Sequence, residues 1–346
     1  MAENAFYTEE HHGPFESVSI GDLTLVSGEV LPDCKIAIAT FGALNATKDN
    51  AILVPTWYSG TSGIIAQAYI GEGRALDPTE YFIIVVNQIG SGLSTSPHNW
   101  GKPASAFPAI AIADDVIAQH KVITEHFGIS RLKLVIGGSM GGQQTFEWAV
   151  RFPDMVERAA PIAATAKAAP HFKVFLDSMA DTIISDPAYA GGDYGAAAEV
   201  SAGLLRHARL WAVTGWSPEF YRQGRYTALG FEEVEGFVDG FMGSYFAPMD
   251  PANLTCKIAK ARGADPAQGG DLAQALGQIK AKTFVMPVDH DMFFKVADCE
   301  DQCAMIPNGE LRVLQSIDGH LALFGADPDF LGQVDANLKE LLSLTV

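Results

Sequence analysis

Leu132-Lys133-Leu134-Val135-Ile136-Gly137-Gly138-Ser139-Met140-Gly141-Gly142 is the stretch that decides the fold class. A short apolar run of strand length gives way to four glycines around one serine, and a helical pattern follows over 143–150. Glycines two before and two after the serine are what a sharp strand-to-helix turn requires, because neighbouring backbone segments are pressed together there and the serine is forced into a strained conformation. The pattern alone is weak in a chain with 34 glycines. Its position between a strand and a helix makes it a nucleophile elbow, with the helix N-terminus behind Ser139 favouring the negative charge that develops in acyl transfer.

Outward from this turn, short apolar runs alternate with longer helical patterns, the mark of a parallel sheet covered by helices. Strands are expected over 35–41, 51–55, 81–87, 132–136, 159–163, 283–288 and 311–316, preceded by a hairpin over 17–31 with Gly21-Asp22 near its turn. Helices are expected over 109–127 and 330–342. From about Lys167 to Gln278 the strand signal vanishes and helical patches at 172–184 and 197–213 carry many aromatics. The expected organisation is therefore a core formed by 1–166 and 279–346, with 167–278 inserted as a helical lid. Most of the aromatics should form the insertion's own core, and a minority should line a pocket where it roofs the sheet.

The 346 residues suffice for one large or two ordinary domains. With 48% hydrophobic and 18% charged residues the chain is too apolar for disorder, and no run approaches the roughly 18 apolar residues of a membrane span. The balance of 23 Lys and Arg against 41 Asp and Glu, net −18, repels nucleic acid and anionic lipid and favours neutral or cationic small partners. The opening MAENAFYTEEHHGPF lacks the charge and apolar pattern of a signal peptide, so a cytoplasmic location is expected. Cys34, Cys256, Cys299 and Cys303 read as reduced structural thiols. No metal site is expected: Asp289-His290-Asp291 are adjacent and do not converge on one ion. No cofactor is expected either, since Gly90-Ser91-Gly92 lacks the third glycine and the helix of a dinucleotide loop.

A serine nucleophile needs a base and an orienting carboxylate, which this architecture delivers later in the chain, acid before histidine, from loops at the carboxyl ends of strands. His320 follows the last expected strand and fits the base. Asp289 and Asp291 both lie on the preceding strand's loop and both fit the acid, whereas Asp318 is too close to His320 in the chain to be preferred. An oxyanion hole needs two backbone N–H groups: Met140, directly after the nucleophile, gives one, and the loop Thr56-Trp57-Tyr58-Ser59-Gly60 should give the other.

These residues resemble the homoserine O-acetyltransferase-like branch of the α/β-hydrolase superfamily. The resemblance rests on Phe41-Gly42 with Leu44-Asn45, on Gly73-Arg74-Ala75-Leu76-Asp77, on the elbow with Glu147-Trp148, and, more weakly, on Asp186-Pro187 and Ala208-Arg209 in the insertion. It implies Asp291, followed by Phe293 and Phe294, as the triad acid and Tyr58 as the second oxyanion donor. It also implies Arg209 as a ligand of a substrate carboxylate, Trp57 in the substrate pocket, and a homodimer formed through the insertion. Two departures bear on substrate. The acidic residue that transferases carry after the catalytic histidine, for an amino-acid acceptor's ammonium, is Leu321 here, and the tyrosine that partners the lid arginine is Trp216. An ammonium ion brought against Leu321 would lose its hydration without gaining a partner. The expectation is a serine-dependent hydrolase of short-acyl esters with an uncharged alcohol part, the alternative being an acyl-CoA-dependent O-acyltransferase with a less polar acceptor.

Overall fold

A computed structural model describes residues 4–345. Eight strands form one sheet: β1 (Glu16–Thr24), β2 (Val30–Phe41), β3 (Ala51–Pro55), β4 (Phe82–Val86), β5 (Leu134–Gly138), β6 (Arg158–Ile162), β7 (Lys282–Val285) and β8 (Gly309–Leu311). Their spatial order is β1-β2-β4-β3-β5-β6-β7-β8, with β1, β2 and β4 paired antiparallel and all other neighbours parallel. Every residue of β3, β4, β5 and β6 is buried, as a sheet covered on both faces demands, and this is why Ala-Ile-Leu-Val-Pro and Phe-Ile-Ile-Val-Val read as unbroken apolar runs.

Parallel neighbours need crossover connections, and helices supply them. They include α1 (Ser62–Tyr69), α2 (Ile112–Lys121, continued by a π-helical turn at Val122–His126), α3 (Met140–Arg151) and α7 (Val296–Cys303), while α8 (Pro328–Ser343) follows the last strand and packs against β6 and β7. Between β6 and β7 lie α4 (Pro170–Ile184), α5 (Ser201–Gly215), α6 (Pro251–Arg262) and several short turns, with no strand among the described residues. There Trp216 stacks on Phe220 at 4.2 Å and meets Phe237 edge-on at 5.7 Å, an aromatic core belonging to the inserted segment.

Two local expectations are corrected. The hairpin turn is not at Gly21-Asp22 but at 25–29, where Leu25 N–H donates to Glu29 O at 2.8 Å, and Gly21 marks a register shift inside β1. The last strand, expected over 311–316, shares only Leu311 with β8; pairing with β7 ends there, and beyond it only Val288 and Leu314 bridge. Asp114 and Asp115 on α2 are buried. Asp114 accepts from Val26 N–H at 2.7 Å, while Asp115 accepts from Ile89 N–H at 2.8 Å and pairs with Lys260 of α6. Lys260 Nζ also donates to Ile89 O at 2.7 Å, so this fully buried ion pair fastens the inserted segment to the sheet's helical layer.

Candidate active site

Ser139 sits between β5 and α3 with φ 53° and ψ −122°, a backbone conformation that a residue with a Cβ avoids. The turn is held because Ser139 N–H donates to Ile162 O of β6 at 2.9 Å. It is crowded enough that a Cβ on Gly137 would lie 2.3 Å from the Gly141 backbone and one on Gly141 would lie 2.4 Å from Pro55 O. The glycines of the motif are thus required by close approach, and the serine side chain is the one that projects.

His320, in the turn after Asp318, brings Nε2 to 3.0 Å from Ser139 Oγ, and its Nδ1 lies 2.7 Å from Asp291 Oδ2. All three residues are buried. The carboxylate accepts from Nδ1–H, which leaves the Nε2 lone pair facing the serine hydroxyl. Asp291 is itself oriented: its Oδ1 accepts from Phe293 N–H at 2.7 Å and Phe294 N–H at 3.1 Å. Asp289 does not approach His320. Its Oδ1 accepts from His290 N–H at 2.9 Å and Ser316 N–H at 3.0 Å, tying the β7 and β8 loops together. Asp318 faces Arg225 at 3.4 Å. Between the two aspartates left open by spacing, only Asp291 reaches the imidazole.

Tyr58 and Met140 are both buried, and neither N–H finds an acceptor among the described residues. Two glutamines that the sequence reading passed over hold their backbones in place. Gln88 Nε2 donates to Thr56 O at 3.0 Å and Trp57 O at 2.9 Å, and Gln144 Nε2 donates to Thr56 O at 3.1 Å and Met140 O at 3.2 Å. Gln144 thereby links the two segments that carry the candidate oxyanion donors. Buried polar residues at this density in an otherwise close-packed helix signal a network, and Gln144 Oε1 in turn accepts from Gln119 at 2.6 Å.

Around Ser139 and His320, Trp57, Tyr58, Trp211, Leu321, Leu323 and Phe324 close a cavity with about 10 Å3 of free space, near the minimum that admits one water. Trp57 and Leu321, both expected at the substrate pocket, line this cavity. Arg209 and Trp216 do not. Arg209 is exposed and pairs with Asp239 at 3.3 Å, and Trp216 is buried in the insertion's aromatic core with its indole N–H 3.4 Å from Met242 Sδ. On α5 the buried side is Leu204, His207, Ala208, Trp211, Ala212 and Gly215, and Arg209 falls on the opposite side. Trp211 is the α5 residue that lines the cavity, one of the minority of the insertion's aromatics expected to do so.

Near Tyr58 lies a second buried cation. Lys257 of α6 places Nζ 5.4 Å from the Tyr58 ring centroid and forms no ion pair among the described residues; burial, and then the charge of Lys260, push its pKa down to about 7.

The chain matches the family model for the alpha/beta hydrolase fold over residues 52–327. It is 58% identical over 344 residues to an ethyl acetate hydrolase of Pseudomonas veronii, covering 98% of this chain and 99% of that one. A crystal structure of an acetylester hydrolase from Corynebacterium glutamicum superposes with a TM-score of 0.98 at 50% identity, covering 99% of this chain and all of the other. A homoserine O-acetyltransferase of Trichormus variabilis is 32% identical over 351 residues, covering 97% of this chain and 95% of that enzyme.

Proposed function

Since the chain belongs to the α/β-hydrolase family, in the branch that joins acetyl-ester hydrolases to homoserine O-acetyltransferases, we propose that it hydrolyses short-acyl carboxylic esters through an acyl-enzyme on Ser139. The observation that carries this reading is the buried chain Asp291–His320–Ser139, at 2.7 and 3.0 Å, with the serine on a positive-φ elbow. Ser139 Oγ attacks the ester carbonyl while His320 Nε2 takes its proton, and Asp291 stabilises the imidazolium. The free N–H groups of Tyr58 and Met140 receive the oxyanion. His320 then returns the proton to the departing alkoxide, freeing the alcohol. A water, deprotonated by the same nitrogen, attacks the acyl-serine; the bond to Ser139 Oγ breaks as His320 returns the proton to that oxygen, and the acid is released. No cofactor or metal enters this scheme.

The apolar wall formed by Trp57, Trp211, Leu321 and Leu323 supports a short acyl group and an uncharged alcohol. An amino-acid acceptor is disfavoured: Leu321, beside the base, offers no charge, and Arg209 is turned away to Asp239. The helices from β6 to β7 act as the lid. Exposed Val174, Ile184 and Val213 on α4 and α5 support a homodimer through them, which an elution volume tests. The four free cysteines suit a reducing, cytoplasmic setting.

The test is fluorophosphonate labelling together with turnover of ethyl acetate and an aryl acetate, with acetyl-CoA and homoserine as the comparison. Labelling at Ser139, hydrolysis, and no homoserine-dependent loss of acetyl-CoA are expected. Ser139→Ala should lose the label and more than about 99% of turnover; retention of either, or robust acetylation of homoserine, overturns the reading.

A further inference from the structure

The cavity wall contributed by Trp211 is locked by a buried histidine. The indole Nε1–H donates to His207 Nε2 at 3.1 Å. Because an indole N–H can only donate, Nε2 is the lone-pair nitrogen and Nδ1 carries the proton. Nδ1–H donates to Thr182 Oγ1 of α4 at 3.2 Å, and the Thr182 hydroxyl donates to Met179 O at 2.6 Å. Tyr58 O–H shares the Nε2 lone pair at 3.0 Å. Complete burial pushes the His207 pKa down to about 3 and raises that of Tyr58, so both stay neutral near pH 7.

Held in this way, the Trp211 ring stacks on Tyr58 at 5.7 Å, meets Phe293 edge-on at 5.3 Å and lies 6.1 Å from the His320 ring. One turn further along α5, a Cβ on Gly215 would come within 2.8 Å of Leu321 Cδ1 and 2.9 Å of Trp211 Cε3. A glycine at this position thins the helix so that Trp211 and Leu321 close together beside the base. His320 must hand its proton to the departing alkoxide, so groups packed against His320 and Leu321 face the alcohol half of the ester.

We propose that Trp211 is the specificity-determining residue that limits the alcohol part of the substrate to small groups, with His207 as the positioning residue that fixes its indole. The inference rests on the reading of Ser139, His320 and Asp291 as the triad.

The experiment compares kcat and KM of wild type, Trp211→Ala and His207→Leu on two series, ethyl, butyl and hexyl acetate, and ethyl acetate, butyrate and hexanoate. Removing the indole should raise the hexyl-to-ethyl acetate ratio of kcat/KM by about tenfold or more, mainly through KM, the scale on which methylene groups are discriminated in apolar pockets. His207→Leu should move the ratio the same way by less, and the acyl series should keep its wild-type ratios. An unchanged alcohol ratio, or a shift confined to the acyl series, overturns the proposal. If Trp211→Ala does not fold, Trp211→Phe and His207→Asn carry the same comparison. Fluorophosphonate labelling of the wild type separates the two levels: absence of labelling refutes the triad reading, whereas labelling with unmoved ratios refutes only the role of Trp211.

Discussion

Replacing Asp291 with asparagine keeps the shape of the side chain and reverses the chemistry it presents to His320. The oxygen that accepts from Phe293 and Phe294 N–H at 2.7 and 3.1 Å must remain an oxygen, since an amide NH2 there would face two donors. The NH2 group is therefore forced to the position 2.7 Å from His320 Nδ1, where it donates. Nδ1 must then accept, the proton moves to Nε2, and the nitrogen 3.0 Å from Ser139 Oγ has no lone pair to take the serine proton. Wrong-tautomer substitutions of this kind cost about 10^4-fold in kcat, roughly 5 kcal/mol of barrier. We expect a loss of about 10^3- to 10^4-fold here on an aryl acetate near pH 7, with unchanged far-ultraviolet circular dichroism. Asp289→Asn is the control. Its oxygen can still accept from His290 and Ser316 N–H, so turnover should stay within about threefold. An Asp291→Asn enzyme within tenfold of wild type, or a larger loss at Asp289, would refute the assignment.

Leu321→Asp should lower kcat/KM for ethyl acetate by at least about tenfold, since it sets a charge in an apolar wall beside the base; unchanged ester kinetics would show that this wall does not touch substrate. Lys257 carries a folded-state pKa of about 7 against the ordinary 10.5, so its buried charge destabilises the fold fully below pH 7. That cost fades as the folded state sheds the proton between pH 7 and 10.5. Lys257→Met should therefore be more stable than wild type at pH 6 by a few kcal/mol, with the gap closing toward pH 10 in urea titrations; a gap independent of pH contradicts this. Lys260→Met strands Asp115 in the interior and should lower the unfolding free energy by about 3–5 kcal/mol, a prediction sunk by a loss below about 1 kcal/mol.

The central strands and the elbow were legible because their physics is local: a strand buried on both faces must be apolar throughout, and a turn that tight must be glycine-flanked. The edges were less so. Gly21-Asp22 carries a turn signal, but a bulge uses the same residues, and the Ser27-Gly28 turn is set by pairing between β1 and β2. Spacing alone could not choose between Asp289 and Asp291, because the choice depends on which carboxylate the Phe293 and Phe294 amides orient. The residues of α5 show where resemblance misleads. Arg209 lies two positions from both His207 and Trp211, about 200° around a helix from each, so a substrate role inferred for one side cannot be shared by the other. The signal that would have found Trp211 was the stripe Leu204, His207, Ala208, Trp211, Gly215, whose spacing marks the face of α5 turned to the core.

The separation of Ser139 from His320 by 181 residues has a consequence for biosynthesis. At about 5–20 residues per second, a ribosome takes roughly 10–35 s to pass from the elbow to the base. For most of that interval, from the end of β6 to the start of β7, β6 has no β7 to pair with, because the whole helical segment is translated between them. The nascent chain thus presents an apolar, unpaired strand edge, a template for association with other chains. On the proposed mechanism the serine meanwhile has no imidazole to activate it, and the emerging polypeptide is then inert toward esters while it is most prone to aggregate. Yield in a heterologous host should depend more on elongation rate and growth temperature than on the toxicity of the activity.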